Sequence, residues 1–211
     1  MATKVWAVCR ESRQKMRKLL VRHAQSDWNV SGRWQGHADT PLSAHGRAQS
    51  VEAAKALTNS SGSTRSAQPL DMIFTSDLTR AKETSEIIAE ILGVSTLIVD
   101  AGLRERAVGL WEGLTTAEIN TQYPGDLSNR QYPPGWERDE DLLSRVLKSL
   151  RQIAKLAATR DRILIMSHTG VFYILDCYFN RKFVPIGNLC GREIHMEGND
   201  MSLGKRIALI S

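Results

Sequence analysis

The chain of 211 residues is 42% hydrophobic and 24% charged, enough for one domain with a sizeable core. Its formal charge of +5 comes from 28 Lys and Arg against 23 Asp and Glu, but seven basic groups and one acid sit in residues 1–22, so the remainder is close to neutral. The apolar runs are too short to span a bilayer, the start has no signal-peptide stretch, and three scattered cysteines (Cys9, Cys177, Cys190) suggest neither disulfides nor zinc, so a reducing cytoplasmic setting is expected.

Short apolar runs bounded by polar residues predict buried strands, the first at 18–22. Ser43 can cap a helix running to about residue 57, with Ala48 and Val51 facing inward. Residues 58–69, rich in Ser, Gly and Thr, read as a surface loop. A second strand is expected at 71–75. Asp77 or Thr79 can start a helix in which Ile87, Ile88, Ile91 and Leu92 line one face and Gly93 ends it. A third strand is expected at 96–100. Residues 122–138 carry Pro124, Pro133, Pro134, Gly125 and Gly135, and read as an irregular insertion. The segment 139–158 predicts a helix with Leu143, Val146, Leu147, Leu150 and Ala154 at helical spacing. A fourth strand at 162–167 leads into a short apolar helix at 169–179. The runs 192–197 and 203–210 flank Gly198-Asn199-Asp200 as a hairpin. Strands alternating with helices predict an α/β layer fold with a mostly parallel sheet.

In open α/β sheets, ligands bind beyond the carboxyl ends of the strands. Arg22-His23 ends the first predicted strand, Arg80 follows the second, Arg104-Glu105 the third, and Ser167-His168 ends the fourth. Such a set can neutralise an anion and move a proton. Taken singly, each has a plainer reading: a solvated arginine, a structural histidine, an exposed glutamate.

The surrounding residues carry a resemblance. Its first blocks are Leu20-Val21-Arg22-His23-Ala24-Gln25-Ser26-Asp27-Trp28-Asn29, Arg33-Trp34-Gln35-Gly36, and Asp39-Thr40-Pro41-Leu42-Ser43 with Gly46. Ser76-Asp77-Leu78-Thr79-Arg80-Ala81 with Thr84 follows, then Leu103-Arg104-Glu105 with Gly109-Leu110-Trp111-Glu112-Gly113, then Ser167-His168-Thr169-Gly170. In order and spacing, over roughly residues 18–180, these blocks resemble branch 1 of the histidine phosphatase superfamily, the phosphoglycerate-mutase-like branch.

The resemblance implies a three-layer αβα sandwich. It implies that His23 is a nucleophile that becomes transiently phosphorylated. Arg22 and Arg80 would grip phosphoryl oxygens through planar, multiple hydrogen bonds, and Asn29 would add a neutral donor. His168 would stabilise charge in the transition state. Neighbouring guanidinium groups would keep His23 in the neutral form that attacks. Glu105 would protonate the leaving alkoxide and later take a proton from water. Gln35, Gly36 and Thr169 are further phosphate-binding candidates. The resemblance implies no cofactor and no metal. The implied partner is a small phosphorylated metabolite, with no nucleic acid and no membrane, and a homodimer is compatible with the branch. His37, His45 and His195 read as surface or structural residues. Trp28, Trp34, Trp111 and Trp136 read as packing residues or as a cleft lining.

Several features favour water over a sugar acid as phosphoryl acceptor. Val108 stands where glycolytic mutases usually carry a tyrosine. The segment between Glu105 and His168 is short, and residues 115–134 offer only Arg130 for a glycerate carboxylate. The mutases' extended tail is also lacking. A phosphomonoester hydrolase is therefore expected, with a cofactor-dependent phosphoglycerate mutase as the alternative. From other classes, a non-catalytic phospho-ligand-binding module and a nucleic-acid-binding protein using the basic end remain open. Two departures stand out. Ala24 replaces the usual glycine after the histidine. Gly135-Trp136-Glu137-Arg138 replaces a Gly-Gly-Glu-Ser loop, with Glu137 able to fill its glutamate position. Since the resemblance begins near Met16, residues 1–15 are expected to be a basic extension before a single domain at 16–211.

Overall fold

In the computed structural model, which describes residues 17–59, 70–160, 162–197 and 200–210, four parallel strands form the centre of one sheet. Strand β1 (Arg17–Arg22) pairs with β4 (Arg162–Ser167), β4 with β2 (Met72–Thr75), and β2 with β3 (Leu97–Val99). On the other side of β1, β5 (Cys190–Glu197) and β6 (Asp200–Ala208) run antiparallel as a hairpin, giving the order β3-β2-β4-β1-β5-β6. The hairpin strands are longer than the sequence predicts. The expected extension at 1–15, residues 60–69 of the loop expected at 58–69 and the tip Gly198-Asn199 lie outside the described residues, while Thr58 and Asn59 end helix α2 (Ala44–Asn59).

Side chains alternate across the pleat, so the central strands are apolar on both faces. Leu20, Phe74, Ile163 and Ile165 pack beneath α6 (Asp139–Leu156) and α7 (Thr169–Tyr178). Val21, Ile73, Leu164 and Met166 face α2 (Ala44–Asn59) and α3 (Thr79–Leu92). The result is a three-layer αβα sandwich. Three short helices, α1 (Asp27–Val30), α4 (Thr116–Gln122) and α5 (Asp126–Asn129), interrupt the loops.

The helix faces differ from the expected ones. In α2, Ser43 caps as expected, accepting from the Gly46 N–H at 3.0 Å. However, Ala48 is exposed and Val51 half-buried, while Gly46, Ser50, Ala53, Ala54 and Leu57 face inward. Close approach selects the small ones among them: a Cβ on Gly46 would lie 1.9 Å from the Gln25 carbonyl oxygen. In α3, Ile91 is exposed, and Arg80, Ala81, Thr84, Ser85, Ile88 and Ala89 are buried. Neither Asp77 nor Thr79 caps this helix through its own side chain. Asp39 Oδ1 accepts from the Thr79 N–H at 2.7 Å, while Asp77 pairs with Arg104 Nε at 2.7 Å. In α6, Leu142, Val146, Leu147, Leu150 and Ile153 form the buried stripe, and Leu143 and Ala154 pack at its margin.

Helix α4 falls just before the irregular insertion at 122–138, in a stretch for which the sequence reading gives no helix. Its capping box was legible: Thr115 Oγ1 accepts from the Glu118 N–H, and Glu118 Oε2 accepts from the Thr115 N–H. Trp111 is fully buried and meets Trp34, Trp136, Tyr123 and Tyr132 at ring-centroid distances of 5.6 to 6.4 Å. This aromatic cluster packs the loops on the strands' carboxyl side.

Candidate active site

Parallel pairing brings the ends of β1 and β4 together, with Arg22 opposite Ser167. The His23 N–H donates to the Ser167 carbonyl at 3.0 Å, so His23 and His168 leave the sheet side by side. Their ring centroids are 5.0 Å apart, and both side chains are buried. Ala24 follows in the core, its N–H donating to Thr84 Oγ1 at 3.1 Å.

The His23 ring has a fixed tautomer. Its Nδ1 lies 2.6 Å from the Ala24 carbonyl oxygen. A carbonyl only accepts, so Nδ1 carries the proton and Nε2 the lone pair. Burial, then Arg80, then Arg22 push the His23 pKa well below its ordinary value of 6.5; the Ala24 bond acts the other way. The ring is therefore neutral at physiological pH. Burial first, then Arg80, lowers His168 in the same way.

Arg80 is fully buried in the first turn of α3. Its Nη1 donates to the Ala38 carbonyl at 2.8 Å and its Nη2 to the Gly36 carbonyl at 2.9 Å. Arg22 Nη1 donates to the Ile186 carbonyl at 2.7 Å. Burial lowers both guanidinium pKa values, that of Arg80 to about 10, and Glu105 opposes the shift; both remain charged at neutral pH. Among the described residues, Arg22 Nε, Arg80 Nε and both ring nitrogens of His168 are buried without a hydrogen-bond partner. An unpaired buried polar atom costs about 1–3 kcal/mol. Four of them on three adjoining cationic or imidazole side chains form a ready-made anion site.

Two side-chain amides are oriented by their neighbours. Asn29 Oδ1 accepts from the Ser26 N–H at 3.1 Å and from Asn188 Nδ2 at 3.3 Å. Gln35 Oε1 accepts from Ser26 Oγ at 2.9 Å and Thr40 Oγ1 at 2.7 Å. With both oxygens engaged, each amide presents its NH2 group as donor.

Glu105 stands in the loop after β3. Its Oε1 accepts from the Arg106 N–H at 2.7 Å and the Gly170 N–H at 2.8 Å. Gly170 belongs to the first turn of α7, just after His168. The carboxylate is thereby tied to the strand end that carries the second imidazole. Both donors reach the same oxygen, Oε1.

The sequence matches the profile of the histidine phosphatase superfamily (branch 1) over residues 19–189. The chain belongs to that superfamily. Glucosyl-3-phosphoglycerate phosphatase of Mycobacterium tuberculosis (strain CDC 1551 / Oshkosh) is 35% identical to this histidine phosphatase over 187 residues, covering 82% of this chain and 78% of the relative. A 2,3-bisphosphoglycerate-dependent phosphoglycerate mutase of Methylobacterium sp. (strain 4-46) is 34% identical over 164 residues, covering 72% and 76%. The structure of a mycobacterial glucosyl-3-phosphoglycerate phosphatase in complex with VO3 superposes with a TM-score of 0.76 at 28% identity, covering 92% of this chain and 99% of that one. The enzyme is a phosphatase of the histidine phosphatase type. Among the described residues, no helix is long and apolar enough to cross a membrane.

The other site candidates of this histidine phosphatase occupy different places. Gly36 contributes its carbonyl to Arg80. Its positive φ of 50° favours glycine, and a Cβ there would crowd Glu112 Oε2 at 2.7 Å and Val108 Cγ2 at 2.8 Å. Thr169 opens α7, half-buried. His37 lies at the site: its Nε2 donates to the Glu105 carbonyl at 2.8 Å. His45 is exposed, and His195 lies within β5. Sequence reasoning missed Asn188, whose Nδ2 also donates to the His23 carbonyl at 2.9 Å. Nothing in its local sequence marks it. Ser26 could have been found, because Ser26-Asp27-Trp28-Asn29 has capping-box spacing.

Proposed function

We propose that this chain, with residues 16–211 as its domain, is a metal-independent, cytoplasmic phosphomonoester hydrolase that works through a phosphohistidine on His23. Its substrate is a small phosphorylated metabolite. The observation that carries this reading is the cluster of unpartnered buried donors around the His23 ring.

The phosphoryl oxygens bind Arg22 and Arg80, whose positive charge offsets the charge that would repel a nucleophile, and accept hydrogen bonds from His168, Asn29 and Gln35. The His23 Nε2 lone pair attacks phosphorus, and the bond from phosphorus to the ester oxygen breaks. Glu105 gives its proton to that oxygen, releasing the alcohol. Water then attacks the phosphohistidine while Glu105 takes a proton from it. The phosphorus–nitrogen bond breaks, its electron pair returns to Nε2, and inorganic phosphate leaves. Donors already in place at neutral pH need no reorganisation during either step. The M. tuberculosis relative named for glucosyl-3-phosphoglycerate supports a sugar or organic-acid phosphate as substrate. Cys177 and Cys190 are free thiols, which fits a reducing compartment.

The test is phosphate release from p-nitrophenyl phosphate in EDTA, followed by a panel of sugar phosphates, phosphoserine and phosphoglycerates. Release is expected to survive EDTA and to be lost in His23→Ala. Efficient interconversion of 2- and 3-phosphoglycerate with bisphosphoglycerate present, and little phosphate release, would overturn hydrolysis in favour of a mutase.

A further inference from the structure

We propose that Arg145, together with Glu137, is a positioning residue for proton transfer: it fixes the main chain that carries Glu105. This rests on the reading of Glu105 as the acid.

After β3 the chain makes a short 3-10 turn (Ala101–Leu103), and Arg104–Ala107, which follows it, belongs to no helix or strand. Its carbonyls therefore need partners from outside. Arg145, on α6, supplies them. Nη1 donates to the carbonyls of Gly102 at 3.0 Å and Arg104 at 2.8 Å, and Nη2 donates to the Glu105 carbonyl at 2.8 Å. The same guanidinium pairs with Glu137, Nε to Oε1 at 2.6 Å and Nη2 to Oε2 at 2.7 Å. Glu137 returns the contact: its Oε2 accepts from the Ala107 N–H at 3.2 Å, and its own N–H donates to the Ala107 carbonyl at 2.9 Å.

One ion pair thus holds the main chain on both sides of Glu105. His37 Nε2 also donates to the Glu105 carbonyl, so this carbonyl receives two donors from separate elements. Arg145 uses all three nitrogens on carbonyls and on Glu137. Only a planar fork of donors spans these acceptors; a lysine ammonium at the same place reaches fewer of them. The role of Arg145 is exercised through the loop. Misplacing a catalytic group by about 1 Å can cost about a hundredfold in rate.

The experiment compares kcat/KM for two esters that differ in leaving group. p-Nitrophenyl phosphate leaves readily without a proton, whereas β-glycerophosphate needs one. In Arg145→Lys, Arg145→Met and Glu137→Gln, kcat/KM for β-glycerophosphate is expected to fall about tenfold or more beyond any fall for p-nitrophenyl phosphate. The inhibition constant of inorganic phosphate, which reads the arginine and imidazole clamp, is expected to stay within about twofold. Arg145→Lys keeps the charge and Glu137→Gln the shape, so they decide the matter if Arg145→Met does not fold. Equal losses on both esters in the folded variants, or a matching loss of phosphate affinity, would overturn the proposal. Glu105→Gln is the reference. If it shows the leaving-group bias and the Arg145 variants do not, only this proposal falls. If it shows none, the reading of Glu105 falls too.

Discussion

Glu105→Ala is expected to slow turnover by about two to four orders of magnitude, the usual contribution of a positioned acid–base group. Gly170→Ala is expected to reproduce much of that loss from a residue with no reactive group. A Cβ on Gly170 would lie 2.1 Å from Glu105 Oε1, in the space where the carboxylate receives the Gly170 N–H. The next neighbour, Arg106 Cβ, is 3.2 Å away. The atom most in the way is the end of a flexible side chain, so the carboxylate swings aside, while Arg106, whose backbone nitrogen lies 3.3 Å from the Cβ, need give only slightly. Alanine also favours a helix by about 0.5–1 kcal/mol over glycine, so thermal unfolding should show a folded protein of near-normal stability. The double variant should lose little more than Glu105→Ala alone, because both changes remove one function. Fully additive losses, or a Gly170→Ala enzyme with normal turnover, would contradict this account of the carboxylate.

Arg80→Met is expected to lower kcat/KM by about 10²–10³, the cost of removing a preorganised donor aimed at developing charge. It should also change the shape of the pH profile. His23 must be neutral to attack, so protonation produces the acid limb. In the unaltered enzyme, burial and then Arg80 hold the His23 pKa well below 6.5, which puts that limb well below pH 6.5. Removing the Arg80 charge raises the His23 pKa, so the limb moves to higher pH. Burial and Arg22 remain, so it stays below 6.5. Arg80→Lys keeps the charge and loses the fork. It should therefore retain the acid limb while losing rate. An acid limb in Arg80→Met that does not move would separate Arg80 from the protonation state of His23.

The rim of the site was legible because buried parallel strands are apolar runs with abrupt polar ends. Arg22-His23 and Ser167-His168 mark two such ends, and the sheet aligns them in register. The helix faces were less legible. Val51 and Ile91 are hydrophobic but face outward in part or whole, while Gly46, Ser50 and Ser85 face inward. There, close approach of elements selects small residues, and hydrophobicity ranks the wrong ones. Arg80 and Thr84 are buried for a different reason: the start of α3 borders the site, so its inward face is polar.

The supporting residues lay beyond sequence reasoning because the fold assembles them from distant segments. Asn188 meets His23 from 165 residues away, and Arg145 meets Glu105 from 40. Neither distance leaves a spacing pattern. His37 reads as a surface or structural residue from its loop, and its partners are beyond that reading: its ring nitrogen and the carbonyls beside it hold Glu105 and Arg80. The orientations of Asn29 and Gln35 also follow from bonds that only the folded chain makes.

The mechanism turns on transfer of the phosphoryl group to His23 Nε2. Rapid quench of the enzyme with a substrate labelled in its phosphoryl group tests it most directly. The expected result is a burst of protein-bound label, stable in alkali and labile in acid as a phosphoramidate is, carried on the peptide containing His23 and absent from His23→Ala. Label on another residue, or steady phosphate release by active enzyme with no bound label under single-turnover conditions, would contradict it.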